Sequence, residues 1–211
     1  MDGAPPLPPR TRKPRSQGHA RRGEILAAAR RLFAEEGFGH ATMRRIAAAV
    51  GVSPTALYVY FPDKEAILNA IAEDTFTQLL AFLEASQDPA LEPLSRLRAG
   101  LLAYVRFGLS RPDEYRLTFS APMPPTFGAE NCQPGQIEAA DLSFDVLERT
   151  VSELQSLGIF KPADASVRSE AIWAALHGIT ALLVDRPAAI ENPPDLVVET
   201  LIETLIAGLL A

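Results

Sequence analysis

The chain has 211 residues, a size that suits one large domain or two small ones. Its hydrophobic fraction of 47% and charged fraction of 22% are ordinary for a soluble globular protein and exclude wholesale disorder. The sequence has no uninterrupted apolar run of about eighteen residues, and its N-terminus has no apolar signal segment, so a cytoplasmic protein is expected. The only cysteine, Cys132, excludes an internal disulfide framework and a cysteine-based zinc site.

Charge is distributed unevenly along the chain. Residues 1–64 carry 11 Lys and Arg against 5 Asp and Glu, a net charge of +6, whereas residues 65–211 carry 9 against 21, a net charge of −12. A basic N-terminal part on an acidic body predicts that only the N-terminal part meets a polyanion. Charge alone leaves nucleic acid, lipid and protein open as that polyanion, and a solvated basic tail without any partner is the alternative.

The first predicted elements are an arm and a helix. Residues 1–18 hold five prolines and four basic residues with almost no large apolar side chain, which predicts a disordered basic arm. From Arg21 onward the apolar residues recur at helical spacing as far as Phe33, and Gly37 is expected to end that helix.

Two short helices and a longer one are predicted next. Thr42 is a suitable N-cap for a second helix, which Gly51 ends. Ser53 is expected to cap a third helix with Pro54 at its first position, where the missing N–H has no cost. Pro62 disfavours helical geometry in the preceding residue, so the third helix should end near residue 61. A fourth helix is then predicted from residue 63 to about residue 85.

The rest of the chain is helical in period and is divided by prolines. Helices are predicted over residues 93–109, 112–120, 136–157, 162–184 and 194–210, with a Pro-rich loop at 121–135. No segment shows the alternation of a strand. The predicted fold is therefore all-α with about nine helices, divided into a three-helix head at 19–65 and a helical body at 66–211.

The pair of short helices around Gly51 is typical of a helix-turn-helix. In that motif the first helix crosses the DNA backbone, and the second lies in the major groove with its N-terminal side chains facing the bases. The free N–H groups at the helix starts near Thr42 and Asp63 also suit phosphate binding. Short Ala-rich helical hairpins that bind no DNA are the alternative.

The residues from Ile25 to Phe38, and from Thr42 through Gly51 to Glu65, resemble the first helices of TetR-family regulators. This resemblance covers about residues 20–68 and implies an N-terminal DNA-binding domain that acts as a homodimer. The segment from Trp173 through His177 to Gly178 is similar to the Trp…His-Gly signature of one group of C-terminal ligand domains in that family.

The resemblance also implies roles for individual residues. Arg44 would read a base, and Thr42, Tyr60 and Lys64 would contact phosphates. Ala56 stands where many members have Gly, Thr or Ser, so it would contribute only close approach or a thymine-methyl contact. The alternatives are that the tyrosines cover the core and that the arginines are solvated charges. The expected DNA-contacting residues are Thr42, Arg44, Arg45, Ser53, Pro54, Thr55, Ala56, Tyr58, Val59, Tyr60 and Lys64.

The body is expected to dimerise and to bind a ligand. Residues 171–184 are apolar on nearly all sides, and a broad apolar face recurs along residues 201–209. A partner subunit is therefore expected against the last two helices, about residues 162–184 and 194–210, a monomer with a central buried helix being the alternative. Aromatic side chains of the body suit an apolar cavity, although each one suits a plain core as well. The expected ligand-binding residues are Tyr104, Phe107, Phe119, Met123, Phe127, Phe144, Trp173 and His177.

These features together predict a homodimeric repressor that binds a palindromic DNA operator and is released by a small apolar or amphipathic molecule. The sequence has no Gly-rich phosphate loop, no His-Glu metal spacing and no nucleophile with an adjacent base, so neither an enzyme nor a cofactor is expected. The alternative is a helical scaffold whose basic head makes protein or nonspecific nucleic-acid contacts.

Overall fold

The computed structural model describes residues 15–120 and 138–211. Over these residues the chain forms nine α-helices and no named strand, with one isolated antiparallel bridge between Phe160 and Leu210. The all-α prediction is confirmed. The predicted loop at 121–135, with Met123 and Phe127, and residues 1–14 of the predicted arm lie outside the described residues. The chain divides into two compact units, Met1–Lys64 and Glu65–Ala211.

The first unit contains the helices α1 (Arg15–Glu36), α2 (Met43–Ala49) and α3 (Pro54–Tyr58). Helix α1 begins at Arg15, so residues 15–18, which the sequence assigned to the arm, are helical instead. The first turns of α1 carry polar residues, and both His19 and Ala20 are exposed. The helix was predicted from the spacing of apolar residues, and the first residues of α1 are almost all polar. The predicted start at Arg21 is therefore later than the observed one.

The ends of these helices follow the predicted capping residues. Gly37 ends α1 with a φ of +81°, and Gly51 follows α2 with a φ of +66°. The Thr42 hydroxyl accepts a hydrogen bond from the Arg45 N–H at 3.3 Å, and the Ser53 hydroxyl accepts one from the Ala56 N–H at 3.1 Å. These caps confirm the predicted starts of α2 and α3. The core of this unit is built from Ile25, Ala29, Phe33, Ile46, Ala47, Leu57 and Phe61.

The second unit consists of longer helices. They are α4 (Lys64–Ala85, its first residue belonging to the first unit), α5 (Pro93–Ser110), α6 (Pro112–Tyr115), α7 (Glu138–Ser156), α8 (Ala165–Asp185) and α9 (Pro194–Leu209). A single π-helical turn follows α6 over Arg116–Ser120. Helix α8 begins later than predicted because the Asp164 carboxylate caps it, accepting the N–H groups of Ser166 and Val167 at 3.0 and 3.3 Å.

The core of the second unit depends on a close approach of two helices. A Cβ atom added at Gly108 of α5 would lie only 2.4 Å from Cγ2 of Thr180 on α8. The absence of a side chain at Gly108 therefore lets α5 and α8 approach each other. Around this crossing lie fully or nearly fully buried side chains, among them Leu101, Phe107, Tyr115, Leu154, Phe160, Ile172, Leu176 and Ile202.

Two helices are long and apolar enough to cross a bilayer by length and composition alone. They are α4 and α8, with 44% and 39% of their most apolar windows buried in the described structure. Core helices of soluble proteins meet the same criterion, and α8 buries the polar side chains of Ser169 and Thr180. These lengths are therefore weak support for a membrane span.

Candidate DNA-contacting surface and ligand cavity

The arginines of α2 differ in their surroundings. Arg44 is exposed and makes no hydrogen bond or ion pair to any of the described residues. Arg45 is also exposed, but its guanidinium forms an ion pair with the Glu36 carboxylate. Arg44 is therefore available to an external partner, whereas Arg45 would have to leave Glu36 first.

Helix α3 and the residues after it present an uncharged surface. Leu57 is fully buried, whereas Tyr58, Val59 and Tyr60 are 53%, 80% and 37% exposed. Pro54 and Thr55 are exposed as well, and Ala56 is half-buried. The side chains that this surface offers are hydroxyls and apolar groups, and the exposure of Tyr58 disfavours a role in covering the core.

Lys64, expected at a phosphate, already has partners in the first unit. Its ammonium donates a hydrogen bond to the Phe38 carbonyl at 2.6 Å and lies 4.2 Å from the centre of the Phe38 ring. A lysine ammonium has three donors, so this contact leaves donors for a phosphate oxygen. The phosphate role of Lys64 stays a prediction, and the structure adds a second role in fixing the loop at Phe38.

The second unit contains a cavity of about 580 Å³ between α4, α5, α7, α8 and the π-helical turn, and the cavity is partly open to solvent. Four of the predicted ligand-binding residues line it, namely Tyr104, Phe119, Phe144 and Trp173. Leucines supply much of the remaining wall, including Leu79, Leu83, Leu97 and Leu101. A mostly apolar cavity of this size is suited to a small molecule.

Phe107 and His177, also predicted to bind ligand, are not part of this wall. Phe107 lies one turn of α5 beyond Tyr104 and is only 1% exposed. Its ring packs edge-on against that of Phe82, with 5.5 Å between the ring centres. That position is past the end of the cavity, so Phe107 belongs to the core. The same helical periodicity places both aromatic residues on the inner side of α5, and sequence reasoning could not separate them.

His177 belongs to a polar cluster beside the cavity. Its Nδ1 atom is 2.7 Å from the Tyr115 hydroxyl and 3.3 Å from the Tyr104 hydroxyl. Burial lowers the pKa of His177, against an opposing effect of the Asp185 carboxylate, and burial raises the pKa of both tyrosines. A neutral imidazole nitrogen can accept a hydrogen bond from the Tyr115 hydroxyl, so His177 connects α8 to α5 and α6 through phenol groups that stay protonated.

Sequence reasoning missed the polar residues of the cavity. Gln87, Asp141 and Glu170 all line it, whereas only aromatic side chains, Met123 and His177 were expected there. Both carboxylates are also exposed to solvent, so they border the open side of the cavity. Asp141 stands three residues before Phe144, and Glu170 stands three residues before Trp173. Residues at this spacing share a helix face, so the predicted aromatic residues contained a signal that could have identified both carboxylates.

Comparison with known proteins identifies the family to which the chain belongs. Residues 25–71 match the sequence model described as bacterial regulatory proteins, tetR family, and residues 97–205, more than half the chain, match the tetracyclin repressor-like C-terminal domain. A solved structure of a protein with unknown function from Rhodococcus sp. RHA1 superposes with a TM-score of 0.76 at 30% identity, covering 90% of this chain and 96% of that one. A tetR-family regulatory protein from Rhodococcus RHA1 shares the fold, with a TM-score of 0.72 at 23% identity over 90% of this chain and 98% of that one.

A curated relative matches over a shorter stretch. The HTH-type transcriptional repressor Rv1474c of Mycobacterium tuberculosis (strain ATCC 25618 / H37Rv) is 35% identical over 96 residues, which are 46% of this chain and 44% of the relative. The match thus spans less than half of the relative's length. Regulators of this family are soluble cytoplasmic proteins, which makes α4 and α8 core helices. The chain belongs to the TetR family, and it is a DNA-binding transcriptional regulator and not an enzyme.

Proposed function

We propose that the protein is a homodimeric repressor that binds a palindromic operator and leaves it when a small molecule occupies the cavity. One observation carries the proposal: an exposed, uncharged α3 surface beside Arg44 occurs in the same chain as a cavity of about 580 Å³. The first surface suits a DNA groove, and the cavity suits an effector. Residues up to about 65 then form the DNA-binding domain, and the following residues form the ligand-binding and dimerisation domain.

The DNA-contacting residues keep the roles that the family resemblance implies. Arg44 reads a guanine through its two parallel N–H donors, because it is exposed and unpaired among the described residues. Val59, 80% exposed, and Ala56 contact thymine methyl groups. The hydroxyls of Thr42, Ser53, Thr55, Tyr58 and Tyr60, the ring of Pro54, and the cations of Arg45 and Lys64 complete the interface at phosphates and groove walls.

The dimer forms through α8 and α9. On α8 the exposed residues Val167, Ala171, Ala174, Gly178 and Leu182 follow one another at spacings of three and four, with Val167 61% and Leu182 42% exposed. Ala174 also borders the cavity, so the dimer face and the cavity wall meet there. Small residues at Ala174 and Gly178 permit close approach of a second helix, and a two-fold dimer matches a palindromic operator. The Trp173…His177-Gly178 segment supports assigning the C-terminal domain to the group that carries the Trp…His-Gly signature.

The experiment that tests this function is DNA binding followed by fluorescence anisotropy. The full chain is titrated into the intergenic duplex beside its own gene and into a scrambled duplex, at a low and a high salt concentration. Specific regulation predicts tight binding to the intergenic duplex that survives the higher salt, because base contacts depend on salt less than phosphate contacts do. Equal binding to both duplexes that disappears at high salt would contradict specific recognition and favour a scaffold with a basic head.

A further inference from the structure

The charged side chains of the cavity wall are all acidic. Asp141 on α7 and Glu170 on α8 are its only charged residues, and no Lys, Arg or His lines it among the residues that the structure describes. The cavity therefore presents two carboxylates and no cation to an incoming molecule.

Both carboxylates lack a partner within the described part of the chain. Neither Asp141 nor Glu170 makes a hydrogen bond or ion pair there. Other carboxylates of the same unit are paired: Glu153 lies 2.5 Å from Arg96, Glu203 lies 2.7 Å from Arg98, and Asp185 lies 3.0 Å from Arg116. Those arginines are engaged with their own partners, so the carboxylates at the cavity remain available to a ligand.

The segment between the π-helical turn and α7 contains no cation that could reverse this sign. The sequence between residues 121 and 137 contains one acidic residue, Glu130, and no Lys, Arg or His. Residues 65–211 as a whole carry a net charge of −12. An anionic group would enter the cavity against repulsion and would lose its hydration without gaining a counter-charge, which disfavours carboxylate and phosphate ligands.

On each of the two helices, an aromatic residue lies one helical turn after the carboxylate. Phe144 is one turn from Asp141 on α7, Trp173 is one turn from Glu170 on α8, and both rings line the same cavity. A positively charged nitrogen gains from a carboxylate and from the face of an aromatic ring, and tryptophan is the most favourable ring. Leu79, Leu83 and Leu101 offer an apolar wall for the rest of such a molecule.

We propose that the cavity takes an amphiphilic cation, with an ammonium or other protonated nitrogen held by Asp141 and Glu170 beside Trp173 and an apolar tail among the leucines. The role of the cavity as the effector site rests on the proposed function, whereas the sign of the ligand's charge rests on the wall itself.

Trp173 supplies the measurement because it is the only tryptophan in the chain and lines the cavity. Its fluorescence is followed while the full-length protein is titrated with decyltrimethylammonium, 1-decanol and decanoate, which share one alkyl chain and differ in the sign of the head group. The ammonium is expected to bind about tenfold more tightly than the alcohol, the sum expected from one cation–π contact and one partly exposed ion pair. Decanoate is expected to bind most weakly.

A pair of double variants identifies the groups responsible. Asp141→Asn with Glu170→Gln should remove the ion-pair part of the ammonium preference and leave the cation–π part at Trp173, so the preference over decanol should fall to about two- to fivefold while decanol binding stays unchanged. The control is Asp145→Asn with Glu191→Gln, which removes the same charge from two exposed residues outside the cavity wall. The control should keep the ammonium preference, because a general attraction of cations to an acidic protein is reduced equally in both variants.

Three results would overturn the inference: decanoate binding at least as tightly as the ammonium, equal ammonium affinity in both double variants, or no response of Trp173 to any of the three probes. The anisotropy of operator DNA, measured with the same protein, separates this failure from failure of the proposed function. Specific DNA binding together with tighter binding of decanol or decanoate than of the ammonium would support the proposed regulator function. It would refute only the proposal that the ligand is a cation.

Discussion

Base recognition in the proposed function depends on Arg44, because α3 itself carries no charged side chain. We predict that Arg44→Ala costs about 1–3 kcal/mol of binding free energy and relaxes the preference at one base position. The measurement is anisotropy with an operator selected from random duplexes and with its single-base variants. Arg45→Ala is the neighbouring control, since Arg45 is paired with Glu36, and it should weaken all duplexes alike. An equal loss on every duplex for Arg44→Ala would refute its role in base reading.

His177 makes the stability of the protein depend on pH. Its pKa is lowered by burial, against the opposing effect of Asp185, so the folded chain binds fewer protons than the unfolded chain when the pH falls below the ordinary value of 6.5. The free energy of unfolding should be highest above that pH and decrease below it as His177 is forced to accept a proton next to Tyr104 and Tyr115.

Thermal melting at pH values on either side of 6.5 checks this expectation for His177. The control is His177→Asn, whose side-chain oxygen can still accept the Tyr115 hydroxyl but cannot take up a proton. The variant should lose part of the decrease in melting temperature on the acidic side. A decrease of the same size in both proteins would assign the pH dependence to carboxylates elsewhere.

At the scale of the helices, the crossing of α5 and α8 sets a steric limit at Gly108. Gly108→Ala would place a methyl group 2.4 Å from Thr180 Cγ2, and we expect it to destabilise the fold by about 1–3 kcal/mol through overpacking. Gly23→Ala is the matched control in α1, because nothing lies within 4 Å of its added Cβ. It should stabilise the protein by roughly 0.5–1 kcal/mol through helix propensity. Urea unfolding of both variants measures the difference, and equal effects would refute the steric limit.

The dimer face of α8 is tested at Gly178 and not at the leucines of α9. Leu201 and Leu205 are half-buried, and Leu201 packs against the core, so a charge at either position would also disturb the fold. Nothing lies within 4 Å of a Cβ added at Gly178, so Gly178→Leu should fold as a single chain while blocking close approach of a second α8.

Light scattering after size exclusion should show a monomer for Gly178→Leu and a dimer for the unmodified protein. Gly23→Leu provides the control, since it adds the same side chain to another exposed helical glycine with open space around it. An intact dimer in the Gly178 variant would move the interface away from this part of α8.

The helices could be predicted from the sequence where their ends depend on local chemistry. Thr42 and Ser53 supply caps that any chain with those neighbours would use, and prolines mark the starts of several later helices. The start of α1 and the wall of the cavity were predicted less well. The first residues of α1 are polar and give no apolar spacing to detect, and a single sequence does not show that Tyr104 borders empty space while Phe107, one turn later, does not.

For the whole molecule, the two units must be coupled if the cavity is to regulate DNA binding. A ligand that favours the DNA-incompetent state weakens operator binding by some factor, and thermodynamic linkage requires operator DNA to weaken ligand binding by the same factor. Typical couplings of 1–3 kcal/mol correspond to changes of about 5–150-fold. A ligand that bound both states equally would release nothing, however tightly it bound.

This reciprocity can be measured from both sides in one protein. Anisotropy gives the operator Kd with and without saturating decyltrimethylammonium, and Trp173 fluorescence gives the ligand Kd with and without saturating operator. Because the proposed dimer has two cavities and binds one operator, the operator Kd ratio should equal the square of the ligand Kd ratio when the two cavities respond alike. A ratio of one in both experiments would show that the occupied cavity does not control the head. A departure from this relation would show that the ligand also acts at another site, the DNA-contacting surface included.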